Sequence, residues 1–392
     1  MLLKLALKRI AGNGWRSVFN ILILFLVLMG MLFIQGMYDG WMRTARRQKE
    51  EWEIGAGHFE HSNYDKYDSF TFKDSFAKIP DHIQELIRQN EVVPILVFSG
   101  VLYPQGRMTP ISIKGIPWDQ ALLKIPSQML RVKDEYPGSL PTVIGQDMAR
   151  TNGLSQGDLV SMRFKDARGV FNAYDIEIVK VMATPVSSID ESQVWIDFTV
   201  LNSLVALQNS ATLFILKDEA TQLNLGSNWR YISQKKSLED VLAMMKADQA
   251  GGYVVIALLL FLAMIAIFDT QILAVFKRRK EIGTLIALGM TRRQIIRLFT
   301  YEGCLYMVFG TILTAILGLP LFIHLGTKGI PLPQELSNLN VGGFSETMKS
   351  YYDPLTILFM LIMVFVLTLF ASWLPAAKIA RMKATQALRG KV

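Results

Sequence analysis

FKRRKEIGTLIALGMTRRQIIRLFTYE, residues Phe276 to Glu302, lies between two apolar runs that are each long enough to cross a bilayer. It therefore reads as a short loop on one membrane face. Lys277 to Leu288 contains no proline and one glycine, Gly283, so it can continue the helix before it. Gly289 interrupts that pattern, since Gly costs about 1 kcal/mol relative to Ala in a helix interior. Thr291 then offers an N-cap for a second, short helix. In that helix Ile295, Leu298 and Phe299 share one face, and Arg293 and Arg297 fall roughly opposite. A helix, a break and a short amphipathic helix make a rigid element suited to pushing or being pushed.

Outward from this loop, four apolar runs are long enough to span: Ser17 to Met37, Gly252 to Phe276, Cys304 to Leu325 and Pro354 to Trp373. Each supplies roughly the 20 residues that a hydrocarbon core of about 30 Å requires. With 392 residues, 51% apolar content and a mean hydropathy of +0.29, the chain is too apolar for an ordinary soluble domain. It is also too charged to lie wholly in lipid. The formal charge of +8 is distributed unevenly. Lys4, Lys8, Arg9, Arg16, the loop at 277–297 and the tail at 378–391 bring sixteen basic residues to one side, against the single acid Glu281. The segment 38–250 carries 23 basic and 27 acidic residues. The excess of positive charge is thus a topology signal rather than a nucleic-acid footprint, and it places both termini and the loop in the cytoplasm.

The expected fold is a membrane protein of four transmembrane α-helices with a large α+β periplasmic domain inserted between the first and second. Residues 1–14 form a cytoplasmic amphipathic helix with Leu3, Leu7 and Ile10 on one face, and residues 15–37 the first span. The inserted domain covers 38–250 and is reached through two stalks, Tyr38 to Glu53 and Ser237 to Gln249. Its strand candidates are Val92 to Tyr103, Thr109 to Gly115, Leu159 to Phe164, Tyr174 to Met182 and Gln193 to Asp197. Its helical pieces are Asp81 to Asn90, Gly145 to Asn152 and Thr199 to Leu207, with room for two lobes. Then follow the second span (252–276), the loop (277–302), the third span (303–325), an external loop (326–353), the fourth span (354–376) and a cytoplasmic tail (377–392).

The string K-R-R-K-E-I-G-T-L-I-A-L-G-M-T-R-R-Q-I, with Glu302 and Gly303 after it, resembles the coupling segment of ABC-transporter permeases of the FtsX/MacB type. The resemblance implies that Glu281, Gly283, Gly289, Met290, Thr291, Arg292, Arg293, Ile295, Ile296 and Phe299 couple the chain to a cytoplasmic ABC ATPase dimer. The apolar face would seat in the ATPase and the arginines would pair with its acidic groups. Ile144 to Ala149 followed by Gly153 to Asp158 is similar to the I-G-x-x-L-A…G-L-x-x-G-D-x-V segment of lipoprotein-releasing and macrolide-exporter permeases. The tail, P-A-A-K-I-A-R-M-K-A-T-Q-A-L-R-G, also looks like the family's ending.

Most similar are the transmembrane subunits of lipoprotein-releasing systems, in a bacterial inner membrane. That likeness implies a second permease copy or paralogue, a lipoprotein substrate and a periplasmic lipoprotein carrier. Acyl chains would then meet apolar, adaptable side chains near the outer ends of the first two spans: Met31, Phe33, Ile34, Met37, Tyr253 and Ile256. The hairpin tip Lys165 to Gly169, with Lys165, Asp166 and Arg168, stands where one subunit type carries a hook for the carrier. This tip is short and has no proline, unlike that hook, so a plain solvated turn competes with it. A macrolide- or peptide-exporter-like permease and an FtsX-like regulator of a cell-wall hydrolase are the alternative functions.

No G-x-x-x-x-G-K-[ST] loop occurs, so ATP and Mg are expected in the partner ATPase and no cofactor in this chain. His58 and His61 are three apart without a carboxylate or cysteine cluster beside them. Asp269 and Glu302 are the acids of the spans, both near cytoplasmic ends, where snorkelling or pairing with Lys277 or Arg297 would satisfy them.

Overall fold

The computed structural model describes residues 2–12, 14–132, 138–219, 225–277, 282–284, 286, 289–331 and 347–380. They fall into two compact units. The first comprises 1–42, 244–331 and 347–392, and the second comprises 43–243 with 332–346. Glu281, most of the external loop and the tail beyond Ala380 lie outside the described residues.

The first unit holds the apolar parts of four helices long enough to cross a membrane: Trp15–Lys49, Glu239–Lys277, Arg292–Thr327 and Pro354–Ala380. Their shared core includes Leu24, Leu28, Met31, Ile256, Ile267, Tyr306 and Val364. Lipid tails are as apolar as leucine, so such helices associate mainly by close packing of small residues. A Cβ at Gly303 of the third helix would collide with Ser372 of the fourth, and one at Gly310 would stand 3.0 Å from Leu24 Cβ of the first.

The amino-terminal helix, Leu2–Gly12, differs from expectation. Ala6 and Ile10 are buried, whereas Leu3 and Leu7 are exposed, and the helix packs on the third long helix. Ser17 Oγ donates to the carbonyl of Ile10 (2.8 Å) and lies 3.3 Å from Tyr306 Oη, so a hydrogen-bonded link ties the helix end to the bundle.

The expected stalks are continuous with their spans. The first long helix runs past Met37 to Lys49, then widens into a π-turn, Glu50–Ile54. Arg46–Glu50 (2.7 Å), Arg47–Glu51 (2.8 Å) and Lys49–Glu53 (3.4 Å) are i,i+4 pairs along that stretch. Gly55, at φ 55°, ends it in a conformation that a Cβ would strain.

The second unit is built on strands β1 (Gly57–His61), β2 (Ala77–Lys78), β3 (Val92–Leu102), β4 (Thr109–Ile116), β5 (Leu140–Gly145), β6 (Leu159–Lys165), β7 (Phe171–Met182), β8 (Gln193–Asp197), β9 (Ser210–Ala211), β10 (Leu213–Leu216) and β11 (Trp229–Ser233). Nine of them form one mixed sheet in the order β11-β1-β10-β3-β4-β8-β5-β7-β6, not two lobes. β6 also pairs with the far end of β3, Gly100 to Leu102, which closes six strands into a ring. β4–β8 and β5–β7 are parallel, and the other ladders are antiparallel.

Both faces of the sheet are covered. Phe98, Ile113, Ile144 and Ile196 enter one cluster, and Ile95, Val97, Ile116 and Trp195 enter the other. The expected helical pieces shorten to a 3-10 turn plus Gln84–Arg88, then Gln146–Asn152 and Phe198–Leu204.

Asp190, in the short helix Ser187–Ser192, is buried beside the start of helix Gln146–Asn152. Burial pushes its carboxyl up to about 6; the backbone N–H groups of Asp147 and Gln146 oppose that shift, and the Asp147 carboxylate adds to it. In the unfolded chain this group ionises near pH 4. Between about 4 and 6 the unfolded state gives up its proton while the fold keeps it, so the group lowers stability as pH rises through that window. Asp190→Asn should therefore raise the melting temperature at pH 7.5, and the gain should vanish at pH 4 and below. Thermal melts of the purified chain across that range check it.

Candidate coupling site

Thr291 opens the third long helix with a reciprocal capping box. Its Oγ1 accepts from Gln294 N–H (3.3 Å), while Gln294 Oε1 accepts from Thr291 N–H (2.8 Å). Before it, Gly289 adopts φ 96°, a left-handed turn that L side chains rarely enter. No second break follows. The helix that starts at Arg292 runs straight into the third span and ends at Thr327, so the short amphipathic helix and the span are one element.

The two faces of this helix start have different environments. Ile295 and Phe299 form a cluster with Ile282 and with Ala376 of the fourth long helix, and Ile286, Met290 and Ile296 pack at its edge. Phe299 is 1% exposed, Leu298 is fully buried, and the Arg9 guanidinium stands 5.1 Å from the Phe299 ring centre. Gly283 is buried as well. The apolar face is therefore occupied by the chain itself, which corrects the expectation that it seats in a partner. The same surface had to be covered somewhere, and the neighbouring fourth helix and the amino-terminal helix cover it first.

What remains outward is Gly289, Thr291, Arg292, Arg293, Gln294 and Arg297, all exposed. None of the three arginines forms an ion pair with a described residue. Arg292 and Arg293 occupy the first helical turn, where no acid stands. The positive end of the helix macrodipole makes cations unfavourable there, by about 0.3–1 kcal/mol each. An arrangement that is unfavourable alone becomes favourable against an acidic surface.

One turn further, Glu302 is buried rather than snorkelling, and Tyr306 Oη donates to its Oε1 (3.0 Å). Tyr306 also meets Ser17, so a polar chain runs from Glu302 to the carbonyl of Ile10 beneath the coupling element. Arg9, Ser17 and Tyr306 were not singled out in the sequence. An arginine three residues from the end of an amphipathic helix carries no signal of the distant ring it covers.

Other expected site residues are dispersed. Met31 and Ile256 are buried in the bundle core, so they are not lipid-facing within this chain. Both have leucine and isoleucine neighbours at helical spacing, which decides their orientation. Ile34 and Met37 are half-buried, while Phe33 and Tyr253 are exposed. The hairpin residues sit in the second unit, between β6 and β7. Asp166 accepts from the backbone N–H of Val170 (2.8 Å) and Arg168 (3.0 Å), which holds its carboxyl below the usual range. Ala167 N–H donates to the Val205 carbonyl (3.2 Å), so the tip is pinned to the sheet's own helix end. Lys165 lies 5.7 Å from the Phe171 ring.

Phe299→Ala should thus act on the chain's own fold. Emptying this site should cost about 3 kcal/mol or more, seen as a lower melting temperature of the detergent-solubilised chain. Arg293→Ala should stay within about 0.5 kcal/mol of the parent in the same measurement.

Comparison with known proteins bears on this part of the chain directly. Residues 253–384 match the family described as FtsX-like permease C-terminal. Among solved structures, the periplasmic region of MacB from Actinobacillus actinomycetemcomitans is similar at 9% identity and a TM-score of 0.32, over 48% of this chain and 94% of that one. The extracellular domain of the noncanonic ABC-type transporter YknZ from Gram-positive bacteria is similar at 13% identity and a TM-score of 0.23, over 42% of this chain and 84% of that one. The capped helix start, its span and the fourth helix all lie inside the family match, so this third of the chain is similar to the carboxy-terminal domain of FtsX-like permeases.

Proposed function

We propose that the protein is the transmembrane subunit of an ABC system of a bacterial inner membrane, with both termini cytoplasmic and the α+β unit periplasmic. A separate ATPase dimer binds ATP and Mg and docks at the exposed start of the third long helix. The observation that carries this reading is the outward trio Arg292, Arg293 and Arg297 on a helix end with no acid in its first turn. An acidic groove on the ATPase would offset the dipole penalty and fix orientation by charge-assisted hydrogen bonds. Because the helix continues unbroken into the span, displacement at Arg292 reaches the bundle without a hinge.

The transported cargo in this reading is lipoprotein, released to a soluble periplasmic carrier by a pair of such permeases. Support comes from the Ile144–Asp158 segment and from the placement of a large unit between the first and second long helices. Phe33 and Tyr253 are exposed apolar side chains on the first and second helices, open to an acyl chain. Such a chain gains about 0.8 kcal/mol per buried methylene.

Reversing charge with the pair Arg292→Glu and Arg293→Glu should cut ATPase co-purification at least tenfold without lowering the chain's melting temperature, since acids suit the positive end of the helix dipole. Undiminished recovery of the ATPase would remove the docking assignment. For the cargo, photocrosslinkers at Phe33 and Tyr253 should capture acylated protein in cells, and those at buried Met31 and Ile256 should not. Isolation of a cell-wall hydrolase with the complex, and no acylated protein, would overturn the lipoprotein reading and leave the ATPase docking intact.

A further inference from the structure

Within the second unit, a cavity of about 520 Å³ lies where the chain enters and leaves the sheet. Lys49, Glu53 and Lys236 come from those two connections, His58 and Glu60 from β1, and Lys114 from β4. That volume is within the range of about 300–1,000 Å³ found for small-molecule sites.

Lys114 is the unusual member. Alternation along β4 sends Ile111 and Ile113 into one apolar cluster, and Lys114 and Ile116 to the other face. There Lys114 is 6% exposed, in register with Val97 on β3 and Trp195 on β8, both fully covered. Its Nζ forms no hydrogen bond or ion pair with a described residue and stands 5.2 Å from the Trp195 ring. Burial pulls its pKa down, and Glu53 resists that shift. An ammonium buried without hydrogen-bonded partners costs several kcal/mol, and an isoleucine or methionine would fill the position without that cost.

Two acids of the lining have cationic neighbours of their own, although Glu53 Oε2 makes no hydrogen bond. Glu53 faces Lys49 (3.4 Å), and Glu60 accepts from Arg230 Nε (3.0 Å) with His58 Nε2 at 3.6 Å. His58 Nδ1 is buried and without a hydrogen bond. Lys114 therefore offers a preformed, partly desolvated positive charge at the wall of a polar cavity lined by the cations Lys49, Lys66, Lys236 and Arg230 as well as the carboxylates of Glu53, Glu60, Asp65 and Glu239.

We propose that this cavity binds a small anionic group, a phosphate or carboxylate, with Lys114 as the charge that receives it. The group belongs to either a soluble metabolite or the head group of an anionic lipid, since both present the same oxyanion. The site is independent of the ATPase docking surface and of the cargo.

The test uses the full chain, delipidated in a nonionic detergent. Inorganic phosphate, sn-glycerol 3-phosphate and acetate are titrated at ionic strength held constant with chloride, and melting temperature and tryptophan fluorescence are followed. At least one probe should give a saturable response in the parent. Lys114→Met should weaken it at least tenfold, and Lys73→Ala, exposed and outside the cavity, should change it less than threefold. Lys114→Gln serves in the same role if the methionine variant does not fold. No saturable response in the parent, or equal responses in the parent and the Lys114 variants, overturns the proposal. Repeating the titration in nanodiscs containing phosphatidylglycerol separates the sources: a blunted response assigns the site to the lipid head group, and an undiminished one to a soluble anion.

Discussion

The third long helix runs unbroken from Arg292 to Thr327, and its start is held on both sides. Thirty-six residues at about 1.5 Å each make a rod of roughly 54 Å, against a hydrocarbon core of about 30 Å. The helix is thus longer than a hydrocarbon core requires, and its start and its apolar middle are one piece. The capping box at Thr291 and Gln294 satisfies donors that would otherwise fray the end. The cluster of Ile295, Phe299, Ile282 and Ala376 fixes where that end points. The packing of the bundle depends on this one element, whose single proline, Pro320, falls in its last two or three turns.

Rigidity at the helix start is matched by polar ties beneath it. Glu302 and Tyr306 sit on successive turns, and Ser17 bridges from Tyr306 to the end of the amino-terminal helix. In a low-dielectric bundle such bonds are costly to break, because a freed group finds no water. The close approach of Gly303 to Ser372 lets the third and fourth helices meet at the same level. The amino-terminal, third and fourth helices are therefore fastened together beneath the arginine face.

The second unit follows a different logic. Its mixed sheet is covered on both faces, so alternate residues of the central strands all enter one apolar cluster or the other. Where a polar residue nevertheless falls at an inward position, the sheet must either satisfy it or leave it for a ligand. Thr212 is satisfied, accepting from Val97 N–H (3.1 Å) at full burial. Lys114 is the opposite case, and its cavity is the structural consequence.

The four long apolar helices, the α+β segment that follows the first of them and the cap at Thr291 were legible from residue order, because each rests on local composition or a fixed helical spacing. β3, β4, β6 and β8 were also found within a residue or two, whereas β1, β5, β10 and β11 were missed. Those strands are short, and their partners lie far along the chain, as with Phe59 opposite Phe214 and Tyr231. Periodicity identified the apolar face of the coupling helix but not what covers it. Only the tertiary structure brings Ala376 and Arg9 onto Phe299 and leaves the arginines outward. The same limit applies to Lys114. In a sequence, Ser112 and Lys114 alternating with Ile111 and Ile113 describe a strand with one wet face. Packing of a second cluster over that face, contributed by residues from Tyr64 to Ile215, is what turns a solvent lysine into a buried charge.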